Sequence, residues 1–210
     1  RLVHSRYLQS NLDAENPYDL RITPHHLLDS TTIFVGINDG EVVSTISLVE
    51  DSELGLPMEA MYEAEISQRR RSGHRLAEVT CLADRRNDLK RFLKVFLSLT
   101  RLLAQFARKQ DIDELVATVH PRHAPFYMRY VGFEKFAGLS RCPYAGHNPS
   151  LGLSLSFAKC DEMKPRWYEE IFGRKIPERL LQPQKMSPQE RNLLECVCDD
   201  IAGKWTSTQA

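Results

Sequence analysis

The sequence has no long apolar run. Nowhere does it approach the roughly 18–20 consecutive apolar residues that cross a bilayer. It has no excess of charge: Lys and Arg number 28, Asp and Glu also 28, and the formal net charge is +0. That argues against a nucleic-acid binder relying on a large positive field. It has no disulfide or zinc framework either. Its five cysteines (Cys81, Cys142, Cys160, Cys196 and Cys198) form no C-x-x-C pair. There is no H-E-x-x-H, and His25, His26 and His123 lack metal-ligand spacing. Reduced thiols, a cytoplasmic location and no metal are therefore expected. No signal peptide is visible, and a start at Arg1 reads as a trimmed or processed chain. Internal repeats and low-complexity segments are absent.

What is present is an ordinary globular composition. The 210 residues are 42% hydrophobic and 27% charged, enough for one domain with a sizeable core. Residues 1–30 read as a polar arm, either a short helix with a loop or a lid, with a turn at Asn16-Pro17. Thr32–Ile37 and Glu41–Val49 read as strands joined by an Asn38-Asp39-Gly40 hairpin turn. Pro57–Arg70 reads as a helix ending in Arg69-Arg70-Arg71, where basic residues suit the helix dipole.

Leu76–Ala83 reads as a strand with Leu76, Glu78, Thr80 and Leu82 on one face and Ala77, Val79, Cys81 and Ala83 on the other. Asp88–Lys109 carries the strongest helical pattern, an apolar stripe from Leu89 through Phe92, Leu93, Phe96 and Thr100 to Leu103 and Phe106. Strands over Glu114–His120, Phe133–Leu139 and Leu151–Ala158, a short helix over Ala124–Tyr130 and a loop over Arg141–Pro149 follow. The tail predicts a helix over Pro165–Phe172, then another opened by the capping box Ser187-Pro188-Gln189-Glu190.

Four stretches carry a resemblance. Phe126-Tyr127-Met128-Arg129-Tyr130-Val131-Gly132-Phe133 is similar to the F-Y-x-R-x-G-F segment of GNAT-like acyltransferases. Leu76–Ala83 is similar to the E-x-S-R strand of acyl-homoserine-lactone synthases. With Asp51–Glu59 and Val119-His120-Pro121-Arg122-His123, these resemble the long-chain N-acyl amino acid synthases of the FeeM type over about residues 1–160. The resemblance implies an α/β (α+β) GNAT-like fold: a central, mostly antiparallel mixed sheet flanked by helices over residues 1–160. Residues 161–210 would be a helical extension packed on the same domain. It implies no cofactor. The donor would be the acyl-4'-phosphopantetheine thioester of an acyl carrier protein, and the acceptor a free amino acid, typically tyrosine.

Two departures narrow this. The loop where GNAT enzymes cradle the coenzyme A pyrophosphate is here Asp84-Arg85-Arg86-Asn87-Asp88, without glycine and with two acids, which argues against coenzyme A. Arg69, Arg70, Arg71, Arg85, Arg86, Lys90 and Arg91 could instead meet an acidic carrier protein, or could be solvated helix-end charges. The E-x-S-R arginine position is Cys81, which argues against S-adenosylmethionine as the acceptor.

Amide formation from a thioester requires a base for the amine. Glu78, in mid-strand among apolar neighbours, is the candidate; its plainer reading is a paired structural carboxylate. Tyr127 matches the tyrosine that protonates the leaving thiolate in GNAT enzymes, or packs a helix against the sheet. Thr80, His120 and Arg122 could bind the acceptor, with Arg122 pairing with the acceptor's carboxylate; His120 could instead relay a proton, and both His120 and Arg122 could simply cap their loop. Backbone N–H groups where the Glu78 strand parts from its neighbour would meet the oxyanion. Phe92, Leu93, Phe96, Met58, Met61, Leu153 and Leu155 could line an acyl channel or simply be core. The readings that stay open are an N-acyl amino acid synthase, a lactone synthase or coenzyme A-dependent N-acetyltransferase, and a non-enzymatic lipid or carrier-protein binding module.

Overall fold

The computed structural model describes the backbone of residues 1–85 and 88–207 and the side chains of residues 1–85 and 88–201. Arg86 lies outside the described residues. Among the described residues no helix is long and apolar enough to cross a membrane, and no cluster of acidic, His or Cys side chains is placed to hold a metal.

Six strands form one mixed sheet in the order β1-β2-β3-β4-β6-β5. They are β1 (Thr31–Asn38), β2 (Glu41–Glu50), β3 (Leu76–Asp84), β4 (Glu114–Val119), β5 (Glu134–Cys142) and β6 (Asn148–Ser156). Only β3 and β4 run parallel. On one face lies α3 (Leu89–Lys109), capped by Asp88 Oδ1, which accepts the Arg91 N–H at 3.0 Å. Its Phe96, Leu99, Leu103 and Phe106 are buried in the larger core cluster. On the other face lie α2 (Glu59–Arg71) and, with the N-terminal arm, α1 (Leu2–Gln9). Tyr62, Ile66, Leu76 and Val116 build a second core cluster there.

The structure fits the mixed sheet and GNAT-like layering expected from the sequence, with four local corrections. The strand read as Leu151–Ala158 ends at Ser156, whose hydroxyl caps α5 (Phe157–Met163) by accepting the Lys159 N–H at 3.4 Å. The loop read as Arg141–Pro149 shrinks because β5 runs on to Cys142 and β6 starts at Asn148. The short helix over Ala124–Tyr130 splits into α4 (Ala124–Phe126) and a wider turn at Tyr127–Val131. The helix read over Pro165–Phe172 is reduced to one such turn at Glu169–Gly173. The Ser187–Glu190 capping box does open the last helix, α6 (Pro188–Ser207): Glu190 N–H donates to Ser187 Oγ at 3.2 Å, and Ser187 N–H to Glu190 Oε2 at 2.8 Å.

Two features of β3 position everything that follows. Its parallel pairing with β4 ends at Val79↔Ala117, after which β3 pairs only with β2, and β4 only with β6. The two central strands therefore part in mid-sheet. At the same point β3 bulges: Ser47 faces Thr80 but Thr45 faces Ala83, and Cys81 has φ 52°. A bulge inserts one residue and reverses the alternation beyond it. Leu82 accordingly packs with Val79 under α3, while the Cys81 thiol lies beside Thr80 and reaches the N-terminal arm. The strict alternation read from the sequence fails at that residue.

Candidate active site

The gap between β3 and β4 opens into a cavity of about 850 Å³ lined from both faces of the sheet. From the arm and α2 side come Tyr7, Arg21, His26, Met58 and Glu78; from the α3 side come Phe92, Phe96, Leu103 and Tyr127.

Glu78 is 3% exposed. Its Oε2 accepts the backbone N–H of Met58 at 2.7 Å, just before the first turn of α2. Burial pushes its pKa up to about 8; the Met58 hydrogen bond works the other way, and Cys81 and Glu59 add to the rise. An acid with its pKa near neutrality, inside a cavity, has the properties of a tuned acid–base group.

The structure brings all eight residues read as catalytic or substrate-binding to this one cavity: Glu78, Tyr127, Thr80, His120, Arg122, Phe92, Phe96 and Met58. Tyr127 is held among Phe96, Phe126 and Phe133, and burial pushes its phenol up to about 12. That disfavours full proton donation to a thiolate of ordinary thiol pKa; a hydrogen bond from the phenol fits better. Arg122 is exposed at the rim. Its N–H donates to His120 Nδ1 at 3.2 Å and its Nε to His123 Nε2 at 3.1 Å, a local loop network rather than a buried anchor. Of the residues read as tunnel lining, Leu153 is fully buried in the core and does not line the cavity.

Three lining residues escaped sequence reasoning. Arg21 has a side chain only 8% exposed; it pairs with Asp13 at 3.2 Å and donates Nη2 to the Tyr144 carbonyl at 2.5 Å, while its buried Nε has no partner. Its guanidinium stacks 4.6 Å over the Tyr7 ring. Tyr7 is itself partly buried, and burial first, then Cys81, hold its phenol well above the ordinary value. His26 Nδ1 accepts the Thr23 N–H at 3.0 Å, which leaves the proton of a neutral ring on Nε2, 3.7 Å from Cys81 Sγ. Burial, then the Arg21 charge, lowers the His26 pKa to about 4, so the ring stays neutral. The only sequence signal for Arg21 was a charge between Leu20 and Ile22.

The basic residues do not form one surface. Arg69–Arg71 end α2 just before β3, whereas Arg85 follows its last residue, so the two groups lie at opposite ends of a nine-residue strand, roughly 30 Å apart. Arg69 is also committed to Glu114 at 3.2 Å and stacks on Phe136, and Arg70 pairs with Asp51 at 2.5 Å and with Glu59. Both guanidinium groups are thus tied to carboxylates within the fold, which favours their plainer reading as structural charges. Arg85 pairs with Glu41, and Arg91 approaches Asp88 at 3.9 Å. Lys90, beside them, is exposed.

Comparisons with known proteins give the family and the fold. Residues 1–156 match the family profile of the N-acyl amino acid synthase FeeM. The solved structure of FeeM, an N-acyl amino acid synthase from uncultured soil microbes, superposes with a TM-score of 0.62 at 24% identity, covering 74% of this chain and 87% of that one. The acyl-homoserine-lactone synthase LasI gives a TM-score of 0.55 at 14% identity, covering 84% of this chain and 89% of that one. A search of curated proteins returned no significant match.

Proposed function

Because the chain belongs to the FeeM family of N-acyl amino acid synthases, and so is an acyltransferase, we propose that it transfers a long acyl chain from the 4'-phosphopantetheine thioester of an acyl carrier protein to the amine of a free amino acid, with tyrosine as the acceptor. No cofactor takes part. The observation that carries the reading is that a buried acid, Glu78, and a buried cation with an unused donor, Arg21 Nε, line one cavity with the apolar face of α3.

Arg21 Nε would take a carboxylate oxygen of the acceptor, in the role that the exposed Arg122 cannot fill from the rim. The acceptor ammonium then faces Glu78. At neutral pH the Glu78 carboxyl starts out protonated, but an adjacent cation favours its ionised form. The α-amine of a free amino acid is more basic than a peptide N-terminus, so the raised value of Glu78, about 8, makes transfer of the ammonium proton to it, directly or through water, far less uphill than transfer to an ordinary carboxylate. The free amine attacks the thioester carbonyl. Backbone N–H groups at the β3 bulge, where β4 has turned away, face the developing oxyanion. Collapse expels the pantetheine thiolate. That thiolate takes up one proton while the nitrogen loses another, with Tyr127 donating a hydrogen bond to the sulfur.

The donor reading rests on the cavity mouth. Asp88 and Leu89 line the cavity at the start of α3, and Leu89 is 69% exposed. Arg85, Lys90 and Arg91 stand beside that opening and suit an acidic carrier protein. The test is product analysis with purified protein, acyl carrier protein thioesters and each of the twenty amino acids. N-acyl tyrosine should dominate. No N-acyl product with any amino acid would remove the proposal, and tight acetyl-coenzyme A binding by calorimetry would overturn the choice of donor.

A further inference from the structure

The family match ends at residue 156, yet the cavity does not. Its α3 side runs from Leu89 past Phe92, Phe96 and Thr100 to Leu103 and Ala104. At a rise of 1.5 Å per residue that is a path of roughly 22 Å along the helix. At its far end, opposite Leu103 and Ala104, the lining comes from Ile171 and Phe172, in the turn Glu169–Gly173 beyond the matched residues.

This turn is fastened with more bonds than a loose tail would have. Gln105, on α3, donates Nε2 to the carbonyls of Ile171 at 2.8 Å and Arg174 at 3.0 Å, and its Oε1 accepts the Ile176 N–H at 2.8 Å. Arg108, also on α3, stacks 3.9 Å from the Phe172 ring and pairs with Asp161 at 2.5 Å. Upstream, the Trp167 N–H donates to the Tyr130 carbonyl at 3.0 Å, and the Trp167 ring packs on Phe126 and Phe96. Ile171 is 2% exposed. A wall held this way does not yield to a longer chain without breaking several contacts at once.

We infer that the turn carrying Ile171 and Phe172 is the blind end of the acyl channel and sets the longest acyl chain the protein accepts. The inference rests on the acyl-transfer reading above but concerns a different part of the cavity. An apolar tail gains burial with each methylene until its terminal methyl meets Ile171; the next methylene has no space. Removing Ile171 atoms lengthens the channel. Bulk added at Thr100, whose buried hydroxyl has no partner to lose, shortens it.

The experiment measures kcat/KM for a series of saturated acyl carrier protein thioesters of increasing length in wild type, Ile171→Val, Ile171→Ala and Thr100→Leu. Wild type should rise about fourfold per methylene and then fall sharply. The fall should move to longer chains in Ile171→Val and further in Ile171→Ala, and to shorter chains in Thr100→Leu. Ile171→Val removes a single methylene, so a folding failure of Ile171→Ala leaves the question answerable. The same series is run with free fatty acids, reading the rise in Tm on binding. If the acceptor or donor assignment is wrong, turnover is absent but the break in the Tm series still moves with Ile171 and Thr100. A break at the same length in all four proteins, in both series, overturns the inference.

Discussion

Glu78 and Met58 are joined by a hydrogen bond of 2.7 Å from the Met58 N–H to Glu78 Oε2, across the space between the central strand and the start of α2. Among the described residues the other carboxyl oxygen takes no hydrogen bond. One oxygen therefore fixes the carboxyl, and the other faces the cavity chemistry. The same bond ties the segment before α2 to the point where the sheet opens, and so couples the placement of the base to that of the cavity wall.

Glu78→Gln is the clean test of the base, because an amide oxygen can still accept the Met58 N–H. We expect kcat to fall by about 10²–10⁴ with folding intact. Glu78→Ala is the poorer variant: it leaves a buried N–H unsatisfied, at about 1–3 kcal/mol. Steady-state kinetics and circular dichroism decide; near-wild-type turnover of Glu78→Gln removes the assigned role.

Two groups, the buried Glu78 and the partly buried His26, shape the pH dependence of stability in opposite directions. Glu78 has its folded pKa raised from 4.5 to about 8, so the stability it contributes is complete below pH 4.5 and is lost as pH rises to about 8. His26 has its folded pKa lowered from 6.5 to about 4, so its contribution is complete above pH 6.5 and is lost as pH falls to about 4. Between pH 4.5 and 6.5 the two slopes, each about 1.4 kcal/mol per pH unit, cancel. From pH 6.5 to 8 only Glu78 acts, and stability should fall by about 2 kcal/mol. Urea unfolding at fixed pH checks this: in Glu78→Gln that decline should vanish and an uncompensated loss below pH 6.5 should appear.

Arg21 and Asp13 form a pair whose side chains are 8% and 6% exposed. Arg21→Met should cost about 3–5 kcal/mol, because it strands a buried carboxylate, and should raise the KM for the amino acid. Adding Asp13→Asn should restore much of the stability and none of the lost affinity. A double variant that recovers the KM as well would show that Arg21 only shapes the fold.

The apolar stripe of α3 was legible in the sequence because a 3.6-residue period is a local signal. So was Glu78, a charge where a central strand tolerates none. The bulge at Cys81 was not, since alternation predicts every strand as regular and only the facing register reveals an extra residue. Nor was Arg21, whose burial depends on Asp13, Tyr7 and Tyr144, the last of them 123 residues away in the chain. The division of the basic residues was also hidden: Arg70 and Arg85 read alike as charges until Asp51 and Glu59 are seen around the first.

Charge reversal separates those groups. Lys90→Glu with Arg91→Glu should raise the KM for carrier-bound thioester about tenfold at low salt, with little effect on a free pantetheine thioester and less at high salt. Arg70→Ala should instead lower Tm, by breaking contacts to Asp51 and Glu59, and leave the salt dependence of KM unchanged. Equal KM shifts for both thioesters in the Lys90/Arg91 variant would exclude docking at the α3 start.

Cys81 lies where a nucleophilic thiol would be tempting to assign, but its surroundings favour a structural part. His26 presents a ring N–H, not a lone pair, toward Sγ, and with a pKa of about 4 it is a weak base. What the position demands is a residue that tolerates φ 52° at the bulge. Cys81→Ala should keep turnover within a few-fold of wild type. Cys81→Gly relieves the positive φ but gives up the packing of a side chain that is 5% exposed, so its net effect on stability should be small. Cys81→Val, β-branched at left-handed φ, should lose about 1–3 kcal/mol and lower kcat by disturbing the strand opening. An acyl group trapped on the Cys81 sulfur by mass spectrometry, together with an inactive Cys81→Ala, would reverse this assignment and make the transfer a two-step reaction.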